Sequence, residues 1–596
     1  MELELLVGGA GLPALFLRAV TGSGKPRRDA ACSPLGRRPA GAARPVSGAL
    51  GAAPPDSLII AACVLIWAAV LFLHLGFLSH HSLWNNEFIT LRKLDLDYRS
   101  LCLDRLSQSH VPGYFLFLKA WTDQVGRSEA ALHLPSALFS LAGIFLLWRA
   151  AVLLYGRKWG LLSLVTCGGC QTLIQLSTDA RPYSWLFFAA ALSLWAALLY
   201  MESGRPGPLV VLAMAGIFGL SVHLLYLFVT LTVGIHVVFH RKSLGARWKP
   251  LLLSCLAPVI FLTPVIMWWS RVQDAVGHAA WRSPDLVGTA KKLVILFFGE
   301  WEYAPADKIV MALSVILVAI CVLVTVALRG RLRGQGASVS IDPVCRAARY
   351  AGFLWLWVLL PVVGVALGSL RSRKLTTGPF RYAIVAAAAA PLILTMTSLL
   401  LSRTNRRKLA ALFTAGCLLV IAANTIGFLR WTGPGLREAA RFIEATMRPG
   451  DRVITSRHAA RSRSFVYYGV LKELPMQKPN TVTQPPEVYE WMRQACGDAE
   501  RVWFVFYEKR SVVTDLLEEH QQEFVPLGPL RRFGETAVRL YLHRAGGGTS
   551  GSTSPAGASP APPPPGTDGA EPRGPLDGVK SGGPRGRGAP TGRTSR

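Results

Sequence analysis

The run SLIIAACVLIWAAVLFLHLGFL, residues 57–78, carries one histidine and no formal charge. At about 1.5 Å of rise per helical residue it reaches across a hydrocarbon core of about 30 Å, so lipid is its natural solvent. Ten more apolar blocks follow, at about 131–154, 160–176, 183–201, 208–221, 223–240, 250–269, 306–328, 351–370, 382–401 and 409–429. Of the 596 residues 51% are hydrophobic and only 17% charged, a balance unsuited to a string of soluble domains. The expected fold is an all-α polytopic membrane protein with about 11 transmembrane helices in residues 57–430.

Charge sets the orientation. The formal net charge of +29 resides in the tails and in short loops between apolar blocks, not on one face interleaved with aromatics. It therefore argues for topology and against nucleic acid as a partner. With the basic N-terminal side of 57–78 in the cytoplasm, alternation places YGRKWG (155–160), HRKSLGARWK (240–249), RGRLRG (329–334) and SRTNRRK (402–408) there too. Everything after about 430 is then extracytoplasmic, as for a multi-pass plasma (inner) membrane protein with a cytoplasmic N-terminus.

Beyond that point the pattern changes. GLREAARFIEATMRPGDRVIT (435–455) reads as an amphipathic helix, a Pro-Gly-Asp turn and a strand, while RVWFVFY, VVTDLLEEHQQEF and TAVRLYLHR read as strand, helix and strand. Residues 431–545 are expected to form a small C-terminal extracytoplasmic α/β domain. Residues 1–56 and 546–596, rich in Gly and Pro and without apolar periodicity, are expected to be a disordered extension and a disordered tail. A misassigned start accounts for the first of these equally well. Most of the ten cysteines lie inside apolar blocks, where a thiol is a small hydrophobe, so no disulfide framework is implied. Cys167 and Cys170 in TCGGCQ have CxxC spacing without a second pair, which leaves helix packing beside metal or redox chemistry.

Four polar clusters interrupt the apolar pattern: SLWNNEFITLR (82–92), SHVPGYFLFLKAW (109–121) with its downstream SEAALHLPSALFSLAGIFLLW, STDARPYSW (177–185) and SVHLLYLF (221–228). All fall on the external side under this topology, so they can build one cavity. Ionisable residues at membrane depth are costly unless they line such a cavity.

The order and spacing of these clusters resemble a known family. WNNEF, HVPGYF, SEAALHLPSALF, STDARPY and the VHLLY pair are similar to the WxDExF, HxPxYF, SExALRLPSALFG, [QS]x[DE]ARxY and YxHY-like series of the GT-C superfamily that holds protein O-mannosyltransferases and the aminoarabinose transferase of lipid A. The resemblance covers about 57–430 and, more loosely, the external part. It implies transfer of a sugar from a polyprenyl-phosphate donor to an acceptor on the external face, in lipid, protein or cell-envelope glycosylation, with a carboxylate of the first external loop taking the acceptor's proton. An alcohol is a poor nucleophile until a base does so, whereas phosphate leaves readily when cations hold its charge.

The chain departs from that pattern at one position. Where the family has Asp before Glu, Asn86 precedes Glu87, and an amide is no general base. Either Glu87 takes the role, or Asp179 supplies it, or the acceptor differs, or activity is lost and a glycolipid-binding relative remains. The resemblance also assigns Asn86, His110, Tyr114, Arg181, Tyr183 and His223 to substrate, with Arg181 binding phosphate or fixing a carboxylate. The plain alternatives are a polar interfacial cap at DARPY, with Pro182 opening the next helix, and satisfied interfacial histidines.

Two basic segments complete the reading. Trp281, Arg282, Lys291 and Lys292 precede the eighth span, and Arg371, Arg373, Lys374 and Arg381 follow the ninth on the external side, against the positive-inside trend. A lipid phosphate headgroup supplies a reason, as do ordinary anionic membrane lipids; Arg381 in PFRY resembles the family's PRY segment. Without a Walker loop, dinucleotide fingerprint or metal-binding cluster, no cofactor and no metal are expected, the lipid-linked sugar being a substrate. A lipid or solute transporter is the competing class. It would place ionisable residues mid-span and show inverted halves, and neither is visible.

Overall fold

The computed structural model describes residues 56–108, 110–265, 267–268, 286–300, 302, 304–333, 342–369, 380–403, 406–431, 433–455, 459–471, 476–477, 484–506 and 512–544. The expectations for 1–56 and 546–596 lie outside these, except that Asp56, expected in the extension, is helical. Among the described residues eight helices are long and apolar enough to cross a membrane: Asp56–Leu75, Glu129–Tyr155, Tyr183–Ser203, Arg241–Phe261, Asp307–Ala327, Pro343–Leu367, Ala383–Arg403 and Arg407–Arg430. The chain is a multi-pass membrane protein. The other three expected spans, 160–176, 208–221 and 223–240, are occupied by shorter elements, and the reasons are local.

The chain enters through α1 (Asp56–Leu75), with Asp56 in its first turn. The segment between α1 and the next long helix is itself largely helical: α2 (Asn85–Leu94), α3 (Tyr98–Ser107) and α4 (Gly113–Val125) precede α5 (Glu129–Tyr155). Pro135 lies inside α5 and has no N–H, which frees the carbonyl of Ala131 one turn earlier. Trp121 of α4 donates its indole N–H to that oxygen at 2.8 Å, so the proline ties α4 to α5.

The expected 160–176 span is broken into α6 (Arg157–Gly168) and α7 (Gln171–Ser177) at the pair Gly168–Gly169. Carbonyls released in an apolar interior need new donors. His74 Nε2 of α1 donates to Gly168 O at 3.1 Å, and Thr425 Oγ1 donates to Gly169 O at 2.6 Å. Cys167 and Cys170, flanking the break, are buried in the helical core with their thiols free, as packing residues. The helix α8 (Tyr183–Ser203) crosses next and packs on α5 where Gly143 allows it. A Cβ at Gly143 would stand 2.6 Å from the Phe187 ring.

The expected spans 208–221 and 223–240 appear as α9 (Gly207–Val222) and α10 (Leu227–Phe239), joined by a 3-10 turn at Leu224–Tyr226. Then come α11 (Trp248–Phe261), α12 (Leu286–Phe298), α13 (Asp307–Arg333) and α14 (Pro343–Ser369). Lys291 and Lys292, expected in the basic loop before the eighth span, lie instead in α12, whose end, Val294 to Phe298, is buried. A 3-10 stretch, Phe380–Ala388, leads into α15 (Ala390–Arg403), which α16 (Arg407–Arg430) follows.

The polypeptide then leaves the bundle through α17 (Leu436–Thr446), whose one-sided apolar face buries Leu436, Ala439, Ala440 and Ile443. The strands are β1 (Arg452–Thr455), β2 (Met476–Gln477), β3 (Arg501–Phe506), β4 (Phe524–Pro526), β5 (Arg531–Phe533) and β6 (Thr536–His543), with α18 (Ala459–Tyr467), α19 (Pro485–Cys496) and α20 (Val512–Glu519) between them. Their order is β2-β1-β3-β6-β4, with β5 also on β6. The first three run parallel, and β6 returns antiparallel along β3 with Val505 opposite Val538. Alternating helices and strands supply the crossovers that parallel pairing requires. This sheet belongs to the same compact unit as the helices.

Candidate functional site

Glu87 occupies the first turn of α2, and its Oε2 accepts the backbone N–H of Trp84 at 3.1 Å. Its Oε1 accepts the backbone N–H of Ala180 at 2.8 Å and faces His133 Nε2 of α5 at 2.7 Å. The other ring nitrogen of His133 lies 2.5 Å from the carbonyl of Leu78. A carbonyl and a carboxylate only accept, so both ring nitrogens of His133 act as donors here, Nδ1 to Leu78 O and Nε2 to Glu87 Oε1. Glu87 and His133 are each 2% exposed, which makes this a buried pair satisfied from three directions.

Asp179, 5% exposed, stands beside it. The segment from Asp179 to Pro182 turns the chain between α7 and α8: Arg181 N donates to Asp179 O at 2.7 Å, and Ser136 Oγ of α5 donates to the same carbonyl at 2.8 Å. The indole N–H of Trp84 reaches Asp179 Oδ1 at 3.3 Å. Arg181 leans towards α2, with an Nη donor 3.4 Å from Thr90 Oγ1. Burial alone would lower its pKa, but Tyr183, Asp179 and Tyr114 together raise it, so the guanidinium stays charged.

Tyr114, at the start of α4, is fully buried. Burial pushes that phenol well above its ordinary pKa, and the Asp179 carboxylate adds to the shift. Its ring stands edge-on to Trp185, 5.3 Å between centroids. Tyr183 opens α8 with its ring 6.1 Å from His223, which lies within electrostatic reach of His110 and Arg181. His223 also accepts the N–H of Leu225 at Nδ1, forming the turn between α9 and α10.

The structure thus brings residues from all four polar clusters to one end of the bundle. Asn86 is half-buried in the first turn of α2, and His110 is exposed just before α4. Trp281, Arg371, Arg373 and Lys374 lie outside the described residues, and of Arg381 only the backbone, in the 3-10 stretch, is described. Lys291 is exposed and pairs with Glu302 at 2.5 Å. Among the described residues no group of three or more His, Cys, Asp or Glu side chains could hold a metal ion.

Sequence reasoning missed His133 and the roles of Trp84, Thr90 and Ser136. The one available signal for His133 was an ionisable group inside an apolar block, in SEAALHLP where the related pattern has Arg. Nothing local pairs it with a glutamate 46 positions earlier.

Comparison with known proteins matches one part of the chain to a family model. The model for dolichyl-phosphate-mannose-protein mannosyltransferases matches residues 109–268, the stretch that holds Tyr114, His133, Asp179, Arg181, Tyr183 and His223. The resemblance carried by the motifs is borne out over that stretch. No curated protein matches the chain in sequence. Among solved structures, the chain is similar to ArnT from Cupriavidus metallidurans bound to undecaprenyl phosphate, with a TM-score of 0.47, 12% identity, and coverage of 82% of this chain and 99% of that one. It is also similar to the Archaeoglobus fulgidus oligosaccharyltransferase in complex with zinc and sulfate, with a TM-score of 0.42, 10% identity, and coverage of 74% and 67%.

Proposed function

We propose, from the match of residues 109–268 to dolichyl-phosphate-mannose-protein mannosyltransferases, that this chain is a membrane glycosyltransferase acting on the external face, with eleven spans and the sheet outside. Its donor is a polyprenyl-phosphate-linked sugar, and its acceptor is a hydroxyl. The observation that carries the reading is the meeting of Asp179 and Arg181 with Trp84, Tyr114 and His223 at one end of the bundle.

In this scheme Asp179 is the catalytic base. It takes the acceptor's proton as the acceptor oxygen bonds to the anomeric carbon, the bond from that carbon to phosphate oxygen breaks, and polyprenyl phosphate leaves with the electron pair. Arg181 holds the negative charge that grows on the phosphate, and the dry surroundings strengthen that interaction. Attack opposite the leaving group inverts the anomeric centre. Glu87, with both oxygens engaged, positions the Asp179–Ala180 segment, and Asn86 and Tyr114 offer hydrogen bonds to the sugar. Arg371, Arg373, Lys374 and Arg381 attract the donor's phosphate to the membrane surface.

Purified protein in lipid nanodiscs, supplied with a panel of polyprenyl-phosphate sugars and hydroxyl acceptors, tests this. Asp179→Asn is expected to lower turnover at least about a hundredfold with the fold intact, the scale of a lost general base. Turnover unchanged by that substitution overturns the assignment. A second reading, glycolipid binding without transfer, is favoured by Asn86 in place of the family's Asp. Donor binding without turnover, with turnover appearing in Asn86→Asp, selects it.

A further inference from the structure

Residues far along the chain reach back to the loop that carries the site. Glu129, 8% exposed at the start of α5, accepts an Nη donor of Arg437 at Oε2, 2.5 Å away, and the hydroxyl of Tyr468 at Oε1, 2.6 Å away. Arg437 extends the bridge by donating to the carbonyls of Ser79 and His80, at 2.9 and 3.2 Å. The Tyr468 oxygen also accepts the backbone N–H of Leu83 at 3.1 Å. Leu83 directly precedes Trp84, the residue whose backbone N–H meets Glu87 and whose indole meets Asp179.

Other contacts point the same way. The N–H of Leu436 reaches Ser82 Oγ at 3.1 Å, and Gly435, at φ +68°, makes the left-handed turn that aims α17 at this loop. Phe88 of α2 lies edge-on to the rings of Tyr467 and Tyr468, at 5.9 and 6.5 Å. Tyr467 OH donates to the carbonyl of Arg127 at 2.8 Å, just before α5. Between Ser79 and Phe88, therefore, much of the loop is gripped by Leu436, Arg437, Tyr467 and Tyr468, with Glu129 joining Arg437 to Tyr468.

We infer that Arg437, Tyr468 and Glu129 are positioning residues for the proposed transfer: they clasp the loop between α1 and α2 and thereby set Trp84 against Asp179. This rests on the reading of Asp179 as the base. The physical reason is that a short loop between a membrane helix and α2 lacks sheet or helix hydrogen bonds of its own. Its backbone groups need fixed partners if a side chain on it is to hold a carboxylate still. On this view the sheet-bearing part is a structural component of the reaction chamber, in addition to anything it binds.

The test compares Arg437→Met, Arg437→Lys, Tyr468→Phe and a control, Asp451→Asn, in the full-length protein in nanodiscs. Turnover is normalised to folded protein, and hydrogen exchange is followed across 79–94 and 177–184. Arg437→Met and Tyr468→Phe are expected to lower kcat about tenfold or more with KM for the lipid donor near that of the unaltered protein, since small misplacements weaken the chemical step. Exchange should rise in 79–94, Arg437→Lys should recover part of kcat, and Asp451→Asn should leave kcat per folded molecule unchanged. Protection of 79–94 unaltered by Arg437→Met and Tyr468→Phe overturns the clasp, as does a kcat per folded molecule that matches the unaltered protein. If no donor supports turnover in the unaltered protein, the transferase reading falls, and the exchange arm alone decides whether the clasp exists.

Discussion

Replacing Glu87 by Gln separates a positioning role from a chemical one. The carboxylate receives Trp84 N on one oxygen and Ala180 N on the other, which also faces His133. A glutamine has a single acceptor oxygen. If that oxygen stays with Ala180, the amide NH2 is driven against the Trp84 N–H; if the amide flips, Ala180 N–H loses its acceptor. Either way one buried donor goes unsatisfied, at about 1–3 kcal/mol. Loss of the charge opposite a buried His133 adds to this, since breaking a buried ionic pair by removing one partner costs about 3–5 kcal/mol. A total destabilisation of about 3–5 kcal/mol is expected, the two effects overlapping because one group makes both contacts. Unfolding in detergent, followed by intrinsic fluorescence against denaturant, measures it. The double variant with His133→Ala should lie above neither single loss by more than about 1 kcal/mol, a coupling of the size contacting residues show. Stability within about 0.5 kcal/mol of the unaltered protein, together with abolished turnover, would refute the reasoning and return Glu87 to the chemistry.

Three other outcomes are expected. Trp121→Phe removes the donor that serves the Ala131 carbonyl freed by Pro135, and should cost about 1–3 kcal/mol in the same unfolding assay; an unchanged midpoint contradicts the tie between α4 and α5. His81, in the loop after α1, is driven by burial, and then by His80, His133 and Arg437, from an ordinary 6.5 down to about 3. Between those values only the unfolded chain takes up the proton, so stability should be complete above about pH 6.5 and fall as pH drops towards 3; His81→Phe should flatten that slope in a pH series of melting temperatures. Asp451 accepts from Arg501 at 2.8 Å, from the Trp503 indole at 3.0 Å and from Arg448 N at 3.1 Å, and although burial opposes it these donors hold its pKa below the ordinary value. Asp451→Asn should therefore loosen the sheet by about 1–3 kcal/mol near neutral pH, and a normal melting curve there counts against this account.

That the chain is a multi-pass membrane protein was legible, because crossing lipid is a property of one segment: the length of 57–78 and its lack of charge are complete in themselves. The strand at 501–506 and the helix at 436–446 were legible for the same reason, their periodicity being local. The resemblance carried by four polar clusters in order nominated Glu87, Asp179, Arg181 and Tyr114. What the tertiary structure alone decided is which groups are already satisfied. Glu87 meets a histidine 46 positions away and an amide 93 positions away, and Glu129 meets Arg437 308 positions away. Burial and hydrogen-bond saturation arise where distant segments touch, and no pattern along a single segment records that meeting.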